Sequence, residues 1–170
     1  MSIIAAAQIE LPLQDSSIVY EEVIAADSVT KNQLFDNIKL WFANSFQSSN
    51  EVIQSSDKES GYIIGKGSQV LTPSIAGSAI YYLKFSIRVD VKDNKFRFRL
   101  YDFLVYSPPW RNSGEYSVSL SELYKYYKLG EKSKSYQLFM ESKSAFLTRV
   151  ESYCSVGGPK IRQLIIRVSV

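Results

Sequence analysis

The sequence has no histidine, one cysteine and five prolines among its 170 residues. Without histidine the usual neutral-pH general base is missing, so Ser-His and Cys-His nucleophile pairs are excluded. A lone Cys154 precludes an intramolecular disulfide framework and, with no histidine beside it, the common zinc sites. No apolar run approaches the ~18 residues that suggest a membrane span. No cofactor and no metal is expected, and a non-enzymatic protein is the leading expectation. An enzyme would depend on Asp, Glu, Lys, Tyr or Ser, and 26 serines and 12 tyrosines single out none of them. What is present, 45% hydrophobic residues against 22% charged, is too apolar for disorder and enough for one domain with a real core.

Charge is distributed unevenly. Residues 1–60 carry nine acids and three bases, whereas residues 61–170 carry seventeen bases and eight acids. Such polarity suits nucleic acid or an anionic surface, and equally two halves of one fold that attract each other. The opening Met1-Ser-Ile-Ile-Ala-Ala-Ala-Gln8 has the small-residue pattern of a signal-peptidase site between Ala7 and Gln8. It lacks a basic n-region and a full apolar core. The expectation is therefore an exported protein, periplasmic if a true start lies upstream, with a cytoplasmic one as the alternative. Residues 1–16 are expected to be an arm or signal remnant, 17–157 one domain, and 158–170 a late strand or tail.

Ser17–Ala25 reads as a first strand, with Ile18, Val19, Val23 and Ile24. Asp27 and Ser28 are candidate N-caps for a helix whose apolar face holds Leu34, Phe35, Ile38, Trp41, Phe42 and Phe46. Residues 51–56 and 62–71 form a hairpin around Asp57-Lys-Glu-Ser-Gly61. Then Tyr81, Leu83, Phe85, Ile87, Val89 and Val91 alternate with Tyr82, Lys84, Ser86, Arg88 and Asp90, the period-2 signature of a strand with one buried face. Asp93-Asn94 is a turn, and the return strand 95–107 sets Phe96, Phe98 and Leu100 against Arg97, Arg99 and Tyr101. A two-residue turn fixes the register. Val91 faces Phe96, Val89 faces Phe98 and Ile87 faces Leu100, with Asp90–Arg97, Arg88–Arg99 and Ser86–Tyr101 on the other side. The Arg88–Arg99 pair is unfavourable unless an acid or a ligand anion shares it. Pro108-Pro109-Trp110 is a loop, Ser119–Glu122 a capping box, residues 133–155 a long helix, and 161–170 a late strand.

Strand, helix, four antiparallel strands and C-terminal helices is the β-α-β4-α order of the TATA-binding-protein-like fold. The segments KNQLFDNIKLWFANSF, EVIQSSDKESGYIIGKGS and YYLKFSIRVDVKDNKFRFRLYDF resemble a bacterial domain-of-unknown-function family with that fold. The resemblance covers roughly residues 17–107 and departs mildly at Asn94, where the family often has glycine. It implies an α+β domain, a twisted antiparallel sheet packed on a long helix, in a small exported or lipoprotein-like protein. It carries no catalytic residues.

Candidate chemistry is sparse. Gly65-Lys-Gly67 lies within a strand, so a bulge or close packing beneath the helix accounts for it better than a phosphate loop. Asp102 follows the inward parity of Phe98 and Leu100, where a bulge is simpler than a buried catalytic acid. Glu21 and Glu22 point to opposite faces. The candidate binding surface is the polar face of the hairpin, holding Tyr82, Lys84, Arg88, Arg97, Arg99, Tyr101 and, by parity, Phe103, with Trp110 as an interface anchor. A partner protein or small ligand is the expected occupant. The alternatives are an apolar or anionic small molecule held between sheet and helix, and nucleic acid on the basic-aromatic face; oligomeric state is open.

Overall fold

The computed structural model describes residues 10–45, 52–71, 80–109 and 114–129. Their chain order is β1 (Leu13–Gln14), β2 (Ser17–Ile18), β3 (Tyr20–Ala25), α1 (Lys31–Ser45), β4 (Ile53–Asp57), β5 (Tyr62–Leu71), β6 (Tyr81–Lys92), β7 (Lys95–Ser107), β8 (Tyr116–Ser119) and α2 (Leu120–Leu129). The main sheet is antiparallel in the order β3-β7-β6-β5-β4, and β8 pairs with the far end of β7. The helix α1 lies across its inner face. Leu34, Ile38 and Phe42 on α1 and Ile63, Ile87, Phe96 and Val105 on the strands are completely or almost completely buried.

The β6–β7 register is the one the two-residue turn demands. Val91 faces Phe96, Arg88 faces Arg99, and Ser86 faces Tyr101. Asn94 takes a φ of 64°, a left-handed geometry that Asn accepts. The turn also organises its surroundings. The Asn94 N–H donates to the Val29 carbonyl at 2.9 Å, and the Ala26 N–H donates to the Asn94 carbonyl at 2.8 Å. Asp93 Oδ1 accepts the Lys31 N–H at 2.7 Å, so a carboxylate from a distant hairpin meets the positive end of α1.

Three expectations are corrected. The cap of α1 is Thr30, not Asp27 or Ser28: Thr30 Oγ1 accepts the Gln33 N–H at 3.3 Å, and Gln33 Oε1 accepts the Thr30 N–H at 3.0 Å. This reciprocal box displaces the start by two residues and leaves Ser28 in the preceding turn with a φ of 65°. Phe103 belongs to the core, not to the polar face. Asp102 adopts a φ of 53°, and the register shifts there so that Phe85 stands opposite both Asp102 and Phe103. That bulge exposes the carboxylate and turns Phe103 inward, its ring 5.9 Å from that of Phe85. Finally, the boundary expected at residue 17 falls inside a hairpin. Asp15 and Ser16, both with positive φ, join β1 to β2, and Leu11 is buried with its N–H donating to Tyr124 Oη at 3.1 Å.

Of the capping box expected for α2, the structure shows the N-cap half, the bond from the Glu122 N–H to Ser119 Oγ at 3.1 Å. Its inner face sets Leu120, Leu123 and Tyr124 in the core. Phe46, Trp110, the helix expected over 133–155 and the strand expected over 161–170 lie outside the described residues. Among the described residues no helix is long and apolar enough to cross a membrane.

Candidate functional site

Pleating sends the even-numbered side chains of β5 and β6 to the face away from α1, together with Arg97, Arg99 and Tyr101 of β7. Beyond the bulge the parity of β7 reverses, so Leu104 and Tyr106 join the same outer face. Besides Lys92–Lys95–Ala25 at the turn end, five rows of side chains therefore cross the sheet. They are Tyr62–Asp90–Arg97–Val23, Ile64–Arg88–Arg99–Glu21, Lys66–Ser86–Tyr101, Ser68–Lys84–Leu104 and Val70–Tyr82–Tyr106.

Asp90 organises one end. Arg88 Nε donates to its Oδ1 at 3.0 Å, and Arg97 Nη2 donates to its Oδ2 at 2.9 Å. Partial burial pushes the Asp90 carboxyl upward, but the hydrogen bonds from both arginines outweigh it and hold the group below the usual carboxylate range. The same bond to Asp90 raises Arg88. Arg99 has Glu21 Oε2 at 3.7 Å, beyond hydrogen-bond length. The like-charge pair Arg88–Arg99 is thus relieved from its flanks, with no acid placed between the two.

Rings hold the cations in place. Lys84 Nζ stands 3.7 Å from the centre of the Tyr106 ring, Arg88 Cζ 5.5 Å from Tyr62 and Arg99 Cζ 5.7 Å from Tyr101. Tyr82 and Tyr106 have ring centres 6.2 Å apart. The face stays in contact with solvent, since the side chains of Arg88, Arg97 and Arg99 are 40%, 45% and 39% exposed.

The fold therefore brings together six of the seven candidate residues, Tyr82, Lys84, Arg88, Arg97, Arg99 and Tyr101; Trp110 lies outside the described residues. Sequence reasoning missed Tyr62, Lys66 and Tyr106. The first two depend on the β5–β6 register, which no tight turn fixes, and the third on the bulge. A separate concavity of about 650 Å³ lies between the β1–β2 turn and α2, lined by Glu10, Leu13, Tyr124, Lys125 and Lys128 among others. Its rim is bridged by the Lys128–Glu10 ion pair.

The Asp90 cluster gives a pH-dependent prediction. The folded pKa of Asp90 lies below its unfolded value of about 3.9, so its stabilisation is present above that value and is lost as pH falls through the folded one. Asp90→Asn should cost about 1 kcal/mol at pH 7, a figure discounted for the exposure of both arginines. The gap from the parent should shrink as pH falls through the folded value, where the native carboxyl also becomes neutral. Urea midpoints across that range measure it, and parallel curves would contradict the assignment.

A large antiparallel sheet backed by a helix and entered through a strand-helix unit is an α+β architecture of the TATA-binding-protein-like kind. The chain belongs to the family described as "Domain of unknown function (DUF4468) with TBP-like fold", which matches residues 20–106. Among solved structures it is similar to a TBP-like protein from Parabacteroides distasonis ATCC 8503, with a TM-score of 0.67 and 15% identity over 91% of this chain and 96% of that one. It is also similar to a DUF4468 family protein from Bacteroides ovatus ATCC 8483, with a TM-score of 0.51 and 20% identity over 63% of this chain and 64% of that one. At these identities the likeness speaks for the fold alone. No curated protein matches the chain.

Proposed function

We propose that the chain is a non-enzymatic binding module, exported or envelope-associated, whose partner docks on the outer face of the sheet. The observation that carries this reading is the exposed set of cations pre-positioned over tyrosine rings, Lys84 on Tyr106, Arg88 on Tyr62 and Arg99 on Tyr101. Side chains already ordered in the free state lose less entropy when a partner arrives. Arg and Tyr are also the residue types that concentrate binding energy at interfaces. Export rests on the Ala5-Ala-Ala-Gln8 pattern.

A ligand between sheet and helix is less favoured. A Cβ built on Gly65 would come within 2.7 Å of Phe42 Cε1, so helix and strand already touch at the centre of that interface.

Site-specific photocrosslinking in cells expressing the chain tests the reading. A crosslinker at Ser86 or Ser68, on the outer face, is expected to trap a partner in the envelope fraction. One at Asn32, on the exposed side of α1, is expected to trap none. Crosslinks from Asn32 alone, or a chain found only in the cytoplasm, would overturn it.

A further inference from the structure

Along the outer face the charge does not cancel evenly. The row with Asp90 and Arg97 is neutral, and so is the row with Tyr82 and Tyr106, while Lys92 and Lys95 add two cations at the turn end of the hairpin. Each of the three rows between them carries one cation in excess within the row, Arg88 and Arg99 against Glu21, then Lys66, then Lys84, and the exposed Asp102 at the bulge belongs to none of these rows. Successive rows are two residues apart, about 6.8 Å along the strands. The excess cations thus form a track across the middle of the sheet at the spacing of alternate residues in an extended peptide.

The sequence outside the described residues is itself basic. The segments outside the described residues contain eight bases and only four acids, Glu51, Glu131, Glu141 and Glu151. Nucleic acid fits less well. Two carboxylates, Asp90 and Glu21, stand within the face, where they repel a continuous phosphate backbone. One side of the Tyr62, Tyr101 and Tyr106 rings is taken by a cation, which leaves at most one face of each for stacking on bases. Discrete carboxylates with neutral side chains between them meet none of these obstacles. They can accept from Arg88 and Arg99, the like-charged pair with no acid between its members.

We propose that the outer face recognises an extended acidic segment of a partner protein, with carboxylates at alternate residues lying along Arg88/Arg99, Lys66 and Lys84. The proposal rests on the reading of this face as the binding surface and adds the class of partner.

The test uses the full chain and a fluorescein-labelled (Glu-Ser)₄ peptide, followed by anisotropy at low and moderate salt, with (Gln-Ser)₄ and a twelve-residue oligothymidylate as comparisons. The expected result is salt-sensitive binding of the Glu-Ser peptide, no binding of the Gln-Ser peptide, and weaker binding of the oligonucleotide. Arg88→Ser/Arg99→Ser should lose at least tenfold in affinity, and Lys125→Gln on α2 should lose nothing. Lys66→Gln/Lys84→Gln, which leaves the Asp90 ion pairs intact, should lose a comparable amount, so that misfolding of the arginine variant cannot decide the outcome. No peptide binding at low salt, undiminished binding in both track variants, or tighter oligonucleotide binding each overturns the proposal. So does a dimer that dissociates in the track variants, since the face would then be covered by a second copy. A crosslinked envelope partner from Ser86 whose capture is indifferent to both track variants would leave the binding face standing and remove only the acidic segment.

Discussion

Gly61→Ala should lower stability by about 2–3 kcal/mol, a large fraction of the reserve of a small domain. Two costs coincide at this residue. Its φ of 76° is one that L side chains rarely adopt. An added Cβ would also lie 2.6 Å from Lys31 Cε and 2.8 Å from the Val91 carbonyl oxygen. The lysine can swing away, but the carbonyl belongs to the backbone of β6 and cannot. The Gly61 carbonyl in turn accepts the Val91 N–H at 2.8 Å, so relief of the clash would loosen the tie between the β4–β5 turn and β6. Chemical denaturation checks the figure. Gly114→Ala is the control, since nothing lies within 4 Å of a Cβ placed there, and it should stay within about 0.5 kcal/mol of the parent. Equal effects at the two glycines would refute the account.

Phe42→Ala should cost about 3–5 kcal/mol, because it removes a completely buried ring from the contact between α1 and the sheet. The facing residue makes this more than a generic core deletion. Gly65 has no side chain at the point where the Phe42 ring descends, and Gly65→Ala in the parent should cost about 1–3 kcal/mol by overpacking against that ring and the Val52 carbonyl, 3.0 Å away. In the double variant the new methyl occupies space that the ring has left. Its loss should therefore fall below the sum of the two single losses by about 1 kcal/mol or more. A double-mutant cycle with additive losses would show that Gly65 is small for some reason other than the helix above it.

The parts of this fold that were legible in the sequence are those fixed by local rules. Alternation along 81–91 and 95–100 assigns faces, and a two-residue turn then fixes every partner from Val91–Phe96 to Ser86–Tyr101. The Asp90–Arg97 contact and the unfavourable Arg88–Arg99 pairing followed from that register alone, and the structure adds the acids that flank them. Gly65 was readable as close packing because a glycine within a strand has few other uses. Illegible features depend on choices made elsewhere in the chain. A bulge at Asp102 was legible from the inward parity of its carboxylate, but its consequences were not: beyond it Phe103 turns inward and Leu104 and Tyr106 outward, while β7 pairs with β3 over residues 95–100 and with β8 over residues 104–107. The Asp15-Ser16 turn lacks the Asn-Gly or Asp-Gly signature of such hairpins. In β8 only Val118 is even half-buried, so there was no alternation to detect. Thr30 was passed over as a cap because Asp27 and Ser28 precede it with equally good chemistry, and the choice is made by Gln33 three residues on.

The shared edge of β7 also bears on the order in which the molecule can be completed during synthesis. Among the described residues β3 has no long partner other than β7, with Tyr20 opposite Leu100 and Ala25 opposite Lys95. As the chain leaves the ribosome, α1 and the hairpin that follows can meet early, whereas the opening strand must wait, unpaired, until the stretch up to Leu100 has emerged. Pairings so distant along the chain form slowly, because loop closure precedes any gain from contact. A nascent chain halted before Lys95 would hold its first long strand as an open edge, the state most exposed to association with neighbours.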